Sequence, residues 1–422
     1  MNEEIVSQMI QDRRRFHRRP ELGWCEFETT YFIVQRLKSL GFKVLVGRDI
    51  VDPNAVMGRI ESDVDKARAR AVANGVPEAF IKECSGFTGA VAVWDTGRAG
   101  STTALRFDID ALAIEETDDS DHVPNKMGFR SEVPGLMHAC GHDAHAAVGL
   151  AVARWISENS SEITGVIKLI FQPAEEGVRG AAAIAASGVV DDVDWFAGAH
   201  IGCSAKLHQI GVSHRGYLAT TKFDLELTGV PAAAGSPELG KSALMCGAAV
   251  CMSLGSLPGH SEGITRIQIG TFHAGTGRNI IAEKAHLQLE VRGESTKIND
   301  YMAANVEATV AGLAAAYGVE YKLTRMGEAV TYVGDEEAVD LLKKAASRVP
   351  SVTSVVDMNA KVGSEDCTML IKRVQDHGGK AVFFYFGCSH HGHHKHDFDV
   401  QDEQSMPDGF GVFIEFLKLT NS

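Results

Sequence analysis

Three strand-length apolar runs in this chain each stop at side chains able to hold a divalent cation, a repetition that constrains the fold more than any other feature. Gly165 to Phe171 leads into Gln172-Pro173-Ala174-Glu175-Glu176, Trp195 to Ala199 ends at His200, and Ala381 to Gly387 runs into Cys388-Ser389-His390-His391-Gly392-His393-His394-Lys395-His396. A fourth run, Thr102 to Arg106, delivers Asp108 and Asp110. Turn residues bound the runs and helical segments separate them. That alternation predicts an α/β layered domain with a mostly parallel sheet and the site at its carboxyl edge.

Between Asp110 and the Gly165 run lies Met137-His138-Ala139-Cys140-Gly141-His142-Asp143-Ala144-His145, which packs a thiol, three imidazoles and a carboxylate into nine residues. A thiolate and an imidazole are borderline-soft ligands that reach one first-row ion when a glycine bends the backbone between them. Glu175 and Glu176 are adjacent and point different ways, so one suits a metal and the other suits a proton, as metal-assisted hydrolysis requires.

These pieces resemble the aminoacylase and carboxypeptidase G type of metallopeptidase, in the amidohydrolase branch close to p-aminobenzoyl-glutamate hydrolase. The likeness runs from Arg14-Arg15-Phe16-His17-Arg18-Arg19-Pro20-Glu21-Leu22-Gly23, through Arg106-Phe107-Asp108-Ile109-Asp110-Ala111-Leu112 and the Cys-His stretch, to Gly275-Thr276-Gly277-Arg278-Asn279, Gly363-Ser364-Glu365-Asp366 and the terminal histidines. Residues 49–88 resemble an insertion of that branch. The resemblance implies Cys140, His142, Glu176, His200 and His394 as metal ligands and Glu175 as general base. His394 is chosen because His394-Lys395-His396-Asp397-Phe398 matches the family's spacing, with His390, His391, His393 and His396 left open. Asp110 and Asp143 are expected to orient a ligand imidazole. The implied cofactor is manganese or zinc, one or two ions in each protomer.

Along the chain, Glu3 to Gly41 reads as helical with Gly41 as its cap, and the Arg13-Arg14-Arg15 cluster as a solvated or salt-bridged helix face. Glu61 to Lys82 reads as an insertion helix. Near Tyr217 the order becomes strand-helix-strand-strand-helix-strand, the ferredoxin-like split motif. The expected domains are 1–217 and 329–422 for catalysis, around a lid at 218–328 that the resemblance also makes the homodimer contact.

A formal charge of −14 and the lack of a basic stripe argue against nucleic acid. No run approaches a membrane span and the opening residues lack a signal pattern, so a cytoplasmic protein is expected. The eight cysteines show no C-x-x-C pairing, which favours reduced, buried thiols.

The resemblance places Asn279 and Arg292 where a substrate carboxylate binds, an Arg fork suiting that group. In one place the chain departs from its relatives. Gly229-Val230-Pro231-Ala232-Ala233-Ala234-Gly235 carries Ala233 where the family has a histidine that polarises the scissile carbonyl. A substrate without an amide carbonyl removes that need. The preferred expectation is therefore hydrolytic deamination of a small aromatic carboxylate, 5-nitroanthranilate to 5-nitrosalicylate and ammonia. The alternatives are amide hydrolysis of p-aminobenzoyl-glutamate or another N-acyl amino acid, and a non-catalytic metal-binding relative.

Overall fold

The computed structural model describes residues 2–358 and 363–422; Met1 of the opening segment and residues 359–362 of the resumed catalytic portion lie outside the described residues. The chain divides into two compact units, one of Met1–Gly216, Val333–Ala360 and Asp366–Ser422, the other of Tyr217–Tyr332 and Lys361–Glu365.

The first unit is built on an eight-stranded sheet in the order Lys43–Leu45, Ala90–Asp95, Val166–Gln172, Thr102–Asp108, Trp195–Ile201, Lys380–Phe386, Gln209–Val212, Ser354–Asp357. Its four central strands run parallel, while Ala90–Asp95 and Gln209–Val212 join them antiparallel. Each central strand is buried at every position after its first, which is why they read as continuous apolar runs: both faces are covered. The helices Glu3–Arg18, His142–Glu158 and Asp402–Thr420 pack on one another and close a single core that includes Phe107, Phe171, Phe384 and Phe413. Parallel strands put their carboxyl ends on one edge, and the loops that follow those ends carry the ionisable residues.

The second unit is a four-stranded antiparallel sheet, ordered Glu320–Ala329, Ala219–Thr228, Lys284–Gly293, Thr265–Ala274, with helices Ala243–Gly255 and Thr296–Tyr317. In chain order its strands sit 4-1-3-2, the split βαβ arrangement, over its own core of Leu225, Leu227, Leu287, Val291, Val306 and Val310.

Two local expectations need correction. The stretch read as one helix from Glu3 to Gly41 is two, Glu3–Arg18 and Phe27–Ser39, because Pro20 and Gly23 interrupt it; Gly41 follows the second with φ +93°. The insertion helix is likewise two, Glu61–Ala73 and Glu78–Glu83, parted by Gly75 at φ +95° and Pro77. Of the two readings of the Arg13-Arg14-Arg15 face, the salt-bridged one holds for Arg13 and the solvated one does not: it is 1% exposed and paired with three aspartates. Among the described residues no helix is long and apolar enough to cross a membrane, and all eight cysteines are free, six of them buried.

Candidate metal centre

Gly141 makes the Cys-His bend. It precedes the His142–Glu158 helix at φ +84°, and a Cβ there would come within 2.5 Å of the Ile201 side chain, so the position admits glycine alone. The bend aims Cys140 and His142 at the ends of the central strands.

Five ligand candidates converge there. Ligand atoms of Cys140, Glu176 and His394 lie within 4.8 Å of one another, as do those of His142, Glu175 and Glu176, so Glu176 belongs to both groups. The Nε2 of His200 is 3.4 Å from the Cys140 sulfur, and the Nε2 of His394 is 3.4 Å from Oε1 of Glu176. His394 adopts φ +62°, sparsely populated backbone of the kind retained at functional sites.

Each buried ring is held in a defined tautomer. The Nδ1–H of His142 donates to Oδ1 of Asp110 at 3.0 Å, and the Nδ1–H of His200 donates to the carbonyl of Ile201 at 2.8 Å. Both rings therefore turn Nε2 into the centre, the arrangement in which an outer carboxylate or carbonyl fixes a metal-binding imidazole. His393 differs: its Nε2 accepts the N–H of Cys203 at 3.0 Å, which leaves the proton on Nδ1, 3.6 Å from the Cys140 sulfur. It is placed to donate to a thiolate, and since ligand atoms of Cys140, His200 and His393 lie within 4.8 Å of one another it also stands as a ligand candidate beside His394.

Two observations test whether a cation fits. The Nε2 of His142 and Oε1 of Glu176 are buried without a hydrogen-bond partner, a costly state that coordination relieves. Burial, with Glu176 and Glu175 alongside, holds the Cys140 thiol well above its ordinary range. Burial alone would favour a neutral His142, yet the bond to Asp110 and the charges of Asp108, Asp110 and Glu176 push it up to about 10. The pocket thus collects negative potential that a divalent ion would neutralise, and the thiol, imidazole and carboxylate donors suit zinc or manganese.

The loop that carries Glu175 is held by buried carboxylates. The Ala174 N–H donates to Glu26 at 2.8 Å, that of Glu176 to Oδ2 of Asp110 at 2.8 Å, and those of Gly180 and Ala181 to Asp366 at 3.0 and 2.9 Å. Ala174 sits at φ +53°, so the Glu26 bond stabilises a conformation alanine disfavours. Glu175 itself is 8% exposed and 3.8 Å from Nε2 of His142.

Asp143, expected to orient a ligand imidazole, does not face one. Its Oδ2 accepts from Nε of Arg13 and Nδ1 of His17, both at 2.8 Å. Sequence reasoning also missed His145. Its Nε2 accepts the Ile201 N–H at 2.9 Å and its Nδ1–H donates to Asp108 at 3.1 Å, so it braces the His200 strand end. Its place three residues after His142, on the same helix face, was the available signal. Glu26 offered none. Arg292 and Asn279 belong to the second unit: Arg292 pairs with Glu290 at 2.7 Å, and the Asn279 carbonyl accepts the Ala234 N–H. Ala233, beside it, is exposed.

A family model described as peptidase family M20/M25/M40 matches residues 104–419. The chain is 43% identical over 416 residues to a homolog, from Haemophilus influenzae, of one p-aminobenzoyl-glutamate hydrolase subunit, covering 98% of each. It is 42% identical over 423 residues to the indole-3-acetyl-aspartic acid hydrolase of Enterobacter agglomerans, covering 99% of this chain and 96% of the other. Among solved structures, the aminobenzoyl-glutamate utilization protein of Klebsiella pneumoniae matches with a TM-score of 0.85 at 38% identity, over 99% of this chain and 96% of that one.

Proposed function

The chain belongs to peptidase family M20/M25/M40 and is a metal-dependent hydrolase of C–N bonds; from that premise we propose that it cleaves the amide joining an aromatic acyl group to an acidic amino acid, with p-aminobenzoyl-glutamate as the first substrate to test. The observation that carries the reading is the convergence of Cys140, His142, Glu176, His200 and His394 beside the buried Glu175. Two relatives above 40% identity are named for amides of glutamate and aspartate. Neither is named for deamination of 5-nitroanthranilate, so the preferred expectation from the sequence gives way to its alternative.

In this reading the five side chains hold zinc or manganese, and the sharing of Glu176 between two donor groups supports two ions. A divalent ion there supplies Lewis acidity, lowering the pKa of water towards neutrality. Asp110 and the Ile201 carbonyl keep the imidazole lone pairs on the centre. Glu175 takes the proton of the attacking water and passes it to the leaving nitrogen. Asn279 and Arg292 remain the proposed contacts for the substrate carboxylate, and a homodimer through the second unit and a cytoplasmic location belong to the same proposal; these rest on the resemblance.

Ala233 favours a second reading, deamination of an aminobenzoate, because a methyl group donates nothing to a developing oxyanion. One assay separates the two. Metal-loaded protein is incubated with p-aminobenzoyl-glutamate and, separately, with 5-nitroanthranilate. Release of glutamate from the first, with no ammonia from the second, is expected. Ammonia alone would replace the amide reading with the second.

A further inference from the structure

The basic helix near the start of the chain reaches two segments that are distant in sequence. Arg13 is 1% exposed, and each of its three nitrogens meets a different aspartate: Nε to Asp143 at 2.8 Å, Nη2 to Asp399 at 2.6 Å, Nη1 to Asp402 at 3.4 Å. Asp143 directly follows His142 and Asp399 lies five residues beyond His394. A single guanidinium therefore joins the segment bearing Cys140 and His142 to the segment bearing His394.

We propose that Arg13 is a positioning residue of the metal centre: together with the backbone bond from His394 to Ala139 it sets the distance between the ligands on these two segments. The proposal rests on the reading of Cys140, His142 and His394 as ligands. Those residues come from a helix start and from a loop; among the described residues no strand pairing joins the two, and the His394 N–H, which donates to the Ala139 carbonyl at 2.8 Å, is a backbone tie that fixes one point between them. Only a planar fork with three separately directed N–H groups spans all three aspartates; a lysine ammonium is one point charge and reaches one or two. His17 supports the node by bridging Asp143 to Glu116, at 2.8 and 2.9 Å. Arg14 adds a second hold on Asp402 at 2.9 Å. Asp143 spends its other oxygen on the Ala144 N–H at the helix start, so the pull of Arg13 is transmitted to the turn that aims His142.

The test uses Co²⁺ as the probe, because a cobalt–thiolate charge-transfer band reports Cys140 directly. Cys140→Ala should lose that band. R13K should fold, as judged by circular dichroism, and keep the band, but bind Co²⁺ 10- to 100-fold more weakly, in the range of lost outer supports, with changed d–d bands. Its kcat should fall with KM little changed. Wild-type Co²⁺ affinity and spectrum in R13K would overturn the proposal. Should R13K not fold, Asp399→Asn breaks one arm of the fork only, and a weaker Co²⁺ affinity is again expected, with wild-type affinity overturning the idea. A band that survives Cys140→Ala would remove the ligand reading itself, a failure visible without any Arg13 variant.

Discussion

Asp110 accepts the Nδ1–H of His142 on one oxygen at 3.0 Å and, on the other, the backbone N–H of Glu176 at 2.8 Å. One carboxylate thus sets both the tautomer of an imidazole and the position of the neighbouring carboxylate pair. Burial would raise its pKa, but the His142 bond and charge dominate and hold it below its ordinary value, so it acts as a permanent acceptor.

Asp110→Asn leaves one acceptor oxygen where two are used. Either His142 loses its orientation or the Glu176 amide faces an NH₂ group. Metal affinity is expected to fall about 10- to 100-fold, as for other lost outer partners. Competition titration with a chromophoric chelator measures it, and an unchanged dissociation constant would remove Asp110 from this role.

Glu175→Gln keeps the shape of the side chain and removes its basicity. The rate constant kcat on p-aminobenzoyl-glutamate should drop by roughly 10²- to 10⁴-fold, while metal content by mass spectrometry stays at the wild-type level. Full activity in this variant would assign the proton transfer elsewhere.

Loading the metal should release protons. At pH 7 the Cys140 thiol, raised by burial, and His142, held at about 10, are both protonated before an ion arrives. Binding needs the thiolate and the bare imidazole nitrogen, so about two protons should leave per site. Metal affinity therefore rises with pH. A weakly buffered titration with a pH dye reads the count, and Cys140→Ala should release one fewer.

Alkaline pH should weaken the first unit through His17. Burial opposes its charge, but its bonds to Asp143 and Glu116 outweigh that and raise it from 6.5 to about 9. A raised folded-state value means a stabilisation fully present below about pH 6.5 and lost as pH climbs through about 9. The loss is of order 3 kcal/mol at most. Denaturant melts of the wild type and of His17→Gln between pH 6 and 10 should converge as pH rises; parallel curves would contradict the assignment.

Much of the molecule was legible in the chain. The four apolar runs gave the central strands because both-face burial leaves no polar alternation to obscure them. The turn from Met137 to His145 was readable because its density of ligating side chains has few structural explanations. The split motif after Tyr217 followed from element order. What stayed hidden was charge pairing over long separations. The chain left Arg13 solvated or salt-bridged until Asp143, Asp399 and Asp402 were found around it, and Asp143 looked like the partner of a ligand imidazole until Arg13 and His17 occupied it.

By itself the sequence determined which segments end at the sheet's carboxyl edge and which side chains they carry there, because periodicity and turn residues are local properties of the chain. Only the tertiary structure decided which of those side chains face one another across the centre. His393 and His394 are neighbours of one residue type, yet the Cys203 amide occupies the Nε2 of the first while the Nε2 of the second faces Glu176. A hydrogen bond to a backbone group 190 residues away gives the two histidines different surroundings, and no local pattern encodes a partner at that distance.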